Sequence, residues 1–284
     1  MIVAKQQSID WALSGFGDEI DPDPETQIAV LQALGARHVE VRSAWGVNVV
    51  DLDDAQLSAL VKRLSGADMA VSAVASPIGK VDVDEDPESE VVRLERVIRV
   101  ARALQTPYIR IFSFFIEGRS PEIARDAVLT RMARLAETAA RQGVILLHEN
   151  EKGIYGDTPE RVLDIVESVG SPALRVAWDS ANFVQVGVAR PHDSGFALLR
   201  PHLEYLQVKD ALAATGEVVP AGQGDGQVAL TIQALAADGY TGFASLEPHL
   251  ASAHELGGFS GPAAFGAAAR AFRTIAENAG VTLR

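Results

Sequence analysis

The feature that most constrains this chain is a strict alternation of two kinds of segment along its whole length. Short apolar runs rich in Val and Ile fall at Trp11–Phe16, Arg37–Arg42, Met69–Val74, Tyr108–Phe112, Val144–His148, Leu174–Trp178, Leu203–Val208 and Phe243–Leu246, and read as eight strands. Between them apolar residues recur at helical spacing. Gln27, Ile28, Leu31 and Leu34 form one stripe, ended by Gly35. Leu57, Leu60, Val61 and Leu64 form a second, ended by Gly66. Val91, Leu94, Val97, Ile98 and Leu104 form a third. Ala124 to Ala140 reads as a long helix ended by Gly143, and Thr158-Pro159-Glu160 as a helix start, with Thr as N-cap and Pro at the first helical position, for a helix ended by Gly170. Strand and helix repeating eight times, about 33 residues apart, is the pattern of an α/β fold of the (β/α)8 TIM-barrel type. A doubly wound open sheet is the competitor. It usually carries a Gly-rich phosphate turn after its first strand, whereas Gly15-Phe16-Gly17-Asp18-Glu19 lacks the third glycine and places two acids there. No Pro/Gly/Ser-rich linker divides the chain, so one domain over 1–284 is expected. The acidic stretch Val81–Glu90 reads as an exposed loop.

Composition narrows the function classes. A net charge of −13 disfavours non-specific nucleic-acid binding, which depends on neutralising phosphates. The absence of Cys removes disulfides, thiolate metal sites and a Cys nucleophile. No run approaches the roughly 20 apolar residues of a membrane span, and Met1–Trp11 has no apolar stretch of signal-peptide length. The expectation is a soluble, cytoplasmic protein with no membrane or nucleic-acid partner; homo-oligomer formation is left open.

Strand side chains alternate between faces, and in a barrel one parity meets the helices while the other faces the interior and, at the C-terminal rim, the active site. Val39/Val41, Ile109/Ile111, Val176/Trp178, Leu206/Val208 and Ala244/Leu246 take the outward parity. The inward set holds Glu40, Arg42, Arg110, Glu149, Asp179, Tyr205, Gln207, Lys209, Ser245 and Glu247, and His148 points to the helix layer as a structural histidine. Glu40 and Arg110 read as a buried ion pair. Four consecutive strands thus end in inward polar groups, Glu149, Asp179, Gln207 and Glu247, three of them carboxylates. Three such charges packed together repel by several kcal/mol at an effective dielectric of ~20. Either a divalent cation relieves this, with oxygen donors favouring Mn²⁺ or Mg²⁺ over Zn²⁺, or each carboxylate pairs with Lys209, Arg42 or Arg110.

At these residues the chain resembles the sugar isomerase/epimerase (xylose isomerase-like) barrels. The resemblance rests on His148-Glu149-Asn150-Glu151, Trp178-Asp179-Ser180-Ala181-Asn182-Phe183, Val208-Lys209-Asp210, Gly222-Gln223-Gly224-Asp225-Gly226, Ser245-Leu246-Glu247-Pro248-His249 and Ser76-Pro77-Ile78-Gly79-Lys80, and covers nearly the whole chain. It implies one divalent metal held by Glu149, Asp179 and Glu247, with Gln207 where the family has a His. It also implies Glu149 and Glu247 as catalytic acid/base groups, acting next to a carbonyl of a sugar, sugar phosphate or polyol. Asn182 stands where epimerase relatives carry a substrate-binding His.

Lys80, Lys209 and His249 join Asn182 as candidate substrate-binding residues. Asp210 reads as a strand-end cap, and Gly222–Gly226 as a tight turn in preference to a phosphate cradle. The isomerase or epimerase reading that the resemblance implies is proton abstraction next to the carbonyl with a metal-stabilised enediolate, and a dehydratase on a keto-polyol uses the same enolate and the same metal. A non-catalytic sugar-binding protein and an abasic-site endonuclease are the remaining alternatives; the last needs a His-rich zinc site, and this chain has six His.

Overall fold

A computed structural model describes residues 9–250 and 260–284; the start of the Met1–Trp11 stretch lies outside them. Eight parallel strands form the barrel: β1 (Ile9–Gly15), β2 (His38–Val41), β3 (Ala70–Ala75), β4 (Tyr108–Ile111), β5 (Ile145–Glu149), β6 (Leu174–Asp179), β7 (Leu203–Val208) and β8 (Phe243–Leu246). Each pairs with the next from β2 to β8, and β8 pairs with β1. A parallel bridge from Phe16, just past β1, to Glu40 of β2 closes the ring. All eight coincide with the apolar runs of the sequence.

A further strand, β9 (Val281–Leu283), pairs with Ile9–Trp11 of β1, below the point where β8 takes over the ladder at Ala12. Two short hairpins, Ser43–Ala44 with Val47–Asn48 and Asp210–Ala211 with Val218–Val219, sit at the C-terminal rim.

The helices are α1 (Pro24–Ala33), α2 (Asp54–Gly66), α3 (Pro87–Ala103), α4 (Pro121–Gln142), α5 (Pro159–Val169), the short α6 (Ser180–Gln185), α7 (Val228–Ala237) and α8 (Gly261–Asn278). Their ends follow local chemistry. Asp53 and Gln56 form a reciprocal capping box on α2. Thr158 caps α5 ahead of Pro159, and Gly143 and Gly170 end α4 and α5 at φ +69° and +59°, the left-handed conformation glycine adopts without a Cβ clash. No helix among the described residues is long and apolar enough to cross a membrane.

The alternating faces behave as the pattern requires. Val39, Val41, Ile109, Ile111, Val176, Trp178, Leu206, Val208, Ala244 and Leu246 join the main core between sheet and helices. Inside the barrel, Ala73, Leu147, Ala177 and Tyr205 pack with Tyr108, Ile145 and Phe243. This interior plug leaves the C-terminal rim as the end where a site can open.

The stretch Val81–Glu90 is exposed over Asp84–Ser89, as expected, and departs from a plain loop in three respects. α3 begins at Pro87, Val83 is buried, and Glu90 is 2% exposed because its carboxylate accepts the Gly79 N–H at 2.6 Å. The acidic composition hid a buried acceptor with a backbone donor.

Candidate active site

The strand ends bring the predicted carboxylates together. Glu149 is the last residue of β5, Asp179 the last of β6, and Glu247 follows β8 directly. All three are buried, and one carboxylate oxygen from each lies within 4.8 Å of the others. Hydrogen-bond register sets Glu149 opposite Ala177, and Gln207 opposite both Asp179 and Ser245. The carboxylates therefore converge through strand tilt and not by sharing one row of the ladder.

Asp179 also caps α6, accepting the Asn182 N–H at 2.9 Å. Asn150 stitches β5 to β6 beyond the last ladder bond: its amide donates to Asp179 O at 2.8 Å and accepts from Asp179 N at 3.0 Å. The Asn182 amide donates to Glu149 Oε1 at 3.1 Å and to Asn150 O at 2.9 Å, which orients the Glu149 carboxylate.

Cations engage this cluster. Lys209 Nζ lies 2.9 Å from Asp179 Oδ2 and 3.0 Å from Glu247 Oε2. Arg110 Nε is 3.2 Å from Glu149 Oε2. Arg42 forks three ways, to Asp18 at 2.8 Å, Glu19 at 2.9 Å and Glu247 at 3.0 Å. The two acids after β1 thus anchor an arginine. Arg110 does not form the expected ion pair with Glu40. It extends to the rim, while Glu40 turns to the Tyr205 hydroxyl, which donates to it at 2.9 Å.

The pairing is incomplete. Asp18, Glu19, Glu149, Asp179 and Glu247 are five carboxylates against three cations, Arg42, Arg110 and Lys209. Burial pushes Glu149 up to about 8, with Arg110 opposing and Glu247 reinforcing the rise. Burial likewise pushes Asp179 up to about 6 against the pull of Lys209. Burial acts on Glu247 too, but Lys209, His249 and Arg42 together hold it well below the usual carboxylate range. Three carboxylates at this spacing repel by about 3 kcal/mol per pair at an effective dielectric near 20.

Among the described residues, both polar atoms of the Gln207 amide are buried without a hydrogen-bond partner. A buried amide of this kind calls for a partner. Surplus negative charge next to an unpartnered amide oxygen fits a divalent cation with oxygen ligands.

A cavity of about 450 Å³ opens above the cluster. Glu149, Glu247, Lys80, Asn182, Lys209 and His249 line it; Asp179 and Gln207 are not part of its lining. Lys80 is 3.2 Å from Glu151 Oε2, and its Nζ stands 4.2 Å from the centre of the Phe112 ring. His249 Nε2 is 3.4 Å from Glu19 Oε1. Asn48, Gln185 and Lys152 also line the cavity and were missed in the sequence, since they sit on loops and on α6 away from the strand parity that flags the others.

Two structural readings hold. His148 is fully buried with its ring against Gly156, and burial pushes its pKa down to about 3. Asp210 accepts the N–H groups of Ala211, Gly222, Gly224 and Gly226 at 2.9–3.1 Å. The Gly-rich loop cradles the chain's own carboxylate, which occupies the place an external anion would take.

No curated protein of established function matches the sequence. Among solved structures the chain is similar to 3-keto-D-glucoside 4-epimerase from E. coli, with 13% identity, coverage of 94% of this chain and 99% of the other, and a TM-score of 0.71. A probable 3-DHS dehydratase of petrobactin synthesis from Bacillus anthracis has 19% identity, coverage of 91% and 98%, and a TM-score of 0.69. A xylose isomerase-like TIM barrel protein from Mycobacterium smegmatis in complex with magnesium has 18% identity, coverage of 95% and 98%, and a TM-score of 0.66. At such identities these likenesses establish the fold alone. The sequence itself matches a family over residues 28–275, and on that match the chain belongs to the xylose isomerase-like TIM barrels.

Proposed function

We propose that this chain is a divalent-metal-dependent isomerase or epimerase that moves a proton on the carbon next to a carbonyl of a sugar or related polyol. The observation that carries the reading is the convergence of Glu149, Asp179 and Glu247 within 4.8 Å, beside the unpartnered Gln207 amide. These four residues would hold the metal, and their oxygen donors suit Mn²⁺ or Mg²⁺ better than Zn²⁺. When bound, such a cation supplies electrophilic stabilisation of negative charge developing on a carbonyl oxygen.

The protein's own groups account for the proton movements. Of the four, only Glu149 and Glu247 reach the cavity, so they form the acid/base pair. One carboxylate takes the proton from the carbon next to the carbonyl. In an epimerisation the other returns a proton to the opposite face of the same carbon; in an isomerisation a proton is returned to the former carbonyl carbon while the hydroxyl proton of the neighbouring carbon passes to the former carbonyl oxygen. Asn182 holds Glu149 in place through its 3.1 Å contact. Lys80, Asn182, Lys209 and His249, on the cavity wall, bind substrate oxygens.

A second reading uses the same proton abstraction and then expels a β-hydroxyl, giving a dehydratase; the similarity to the probable dehydratase from Bacillus anthracis favours keeping it. Incubation of the Mn²⁺-loaded protein with a panel of ketoses and aldoses in D₂O, followed by NMR, tests the proposal. Deuterium is expected on the carbon next to the carbonyl, and Glu149→Gln and Glu247→Gln should each abolish its incorporation while leaving the fold intact. A conjugated, ultraviolet-absorbing product would select the dehydratase. Incorporation that persists in both variants would refute the assignment of the pair.

A further inference from the structure

The charge of the cavity wall is divided in a way that bears on the substrate, and the inference rests on the cavity being the substrate site. Arg42, Arg110 and Lys209 are engaged with carboxylates of the floor. Lys80 and Lys152 line the cavity without an ion pair to those floor carboxylates, and Lys80 pairs with Glu151.

The Lys80 position is held by a dedicated turn. Gly79 adopts φ +81°, and a Cβ there would collide with the Phe112 carbonyl. The Gly79 N–H donates to the buried Glu90 carboxylate at 2.6 Å, its carbonyl accepts from Phe114 N at 2.9 Å, and Lys80 N donates to Pro77 O at 3.0 Å. A buried carboxylate on α3 is thus committed to a turn that presents one ammonium over the Phe112 ring. Such fixing lowers the ordering cost of binding a ligand there.

Lys152 lines the same wall and has no ion-pair partner among the described residues. Two lysines against one glutamate leave a single uncompensated positive charge, in a protein whose net charge is −13. The lining also holds the neutral polar side chains of Asn48, Ser76, Asn182 and Gln185, groups that suit hydroxyls.

We propose that the substrate is a polyhydroxylated monocarboxylate, its carboxylate docked at Lys80 and Lys152 and its carbonyl end toward Glu149 and Glu247. Charge selects a carboxylate over a phosphate. One net positive charge matches a monoanion, Glu151 opposes a dianion, and the arginine forks suited to phosphate are occupied. The Glu151 carboxylate, 3.2 Å from Lys80, already demonstrates the contact geometry.

The test is calorimetric titration of Mn²⁺-loaded and EDTA-treated protein with D-gluconate, D-glucitol and D-glucitol 6-phosphate. D-Gluconate is expected to bind roughly tenfold more tightly than D-glucitol. Lys80→Met and Lys152→Met should each erode that preference, read as the ratio of D-gluconate to D-glucitol affinity within each protein. Equal affinities, no binding, tighter binding of the phosphate, or a preference that survives in both variants would overturn the proposal. The EDTA-treated arm contains no metal, so its result is independent of the metal-dependent reading, which the deuterium experiment tests separately.

Discussion

Replacing Lys209 by methionine gives the sharpest separation between a cluster held by its own ammonium and a cluster built for a metal. The Lys209 ammonium touches Asp179 at 2.9 Å and Glu247 at 3.0 Å, and the residue is 5% exposed. Its removal strips the shared cation from two buried carboxylates that already crowd a third. Breaking a buried pair in this way costs about 3–5 kcal/mol. A divalent cation in the same cluster replaces the lost charge, so the loss should shrink when metal is present. Linkage fixes the size of the companion effect. If about 2 kcal/mol of the loss is recovered, Mn²⁺ binds Lys209→Met about 30-fold more tightly than it binds the wild type. Urea unfolding with EDTA and with Mn²⁺ gives the first quantity, and calorimetric Mn²⁺ titration gives the second. An equal loss under both conditions, with unchanged Mn²⁺ affinity, would refute the argument and leave Lys209 as a purely structural cation.

Three further outcomes follow from particular contacts. Gln207→His should raise Zn²⁺ affinity more than Mg²⁺ affinity, because imidazole is the stronger donor for the softer metal; identical titrations for both proteins would remove Gln207 from the ligand set. Asp210→Ala removes one carboxylate from four N–H groups, of which those of the exposed Gly222 and the half-exposed Gly224 can rehydrate; a loss of about 2–4 kcal/mol is expected in urea unfolding. Burial beside Tyr205 raises Glu40 from 4.5 to about 7, so its contribution to stability is complete below pH 4.5 and fades as pH rises through 7. Glu40→Gln lacks that titration, and its stability relative to wild type should rise between pH 5 and 8 by at most about 3 kcal/mol.

Much of the barrel was legible because period-two alternation within an apolar run fixes both a strand and its faces. Glu149, Asp179, Gln207 and Glu247 could be read together for that reason: each sits on the inward parity where the run ends. Parity gives direction but not reach, which is why Glu40 and Arg110 appeared paired. Both point inward, yet Arg110 extends to Glu149 and Glu40 bonds Tyr205. The three-way grip of Arg42 depends on barrel closure, which brings the turn after β1 and the end of β8 to the same place; no local pattern encodes that contact. Asn150 was passed over because its work is done through backbone groups of Asp179, a role that residue type alone does not announce. β9 escaped notice because three residues after a long helix carry too short a pattern, and only the uncovered edge of β1 gives them a partner.

Anomalous diffraction from crystals soaked in Mn²⁺ tests the central claim most directly. The account predicts a single strong peak bounded by carboxylate oxygens of Glu149, Asp179 and Glu247 and the amide oxygen of Gln207, with Lys209 displaced from at least one of its two carboxylates. An empty cluster in which Lys209 still bridges Asp179 and Glu247 at saturating Mn²⁺ would contradict it.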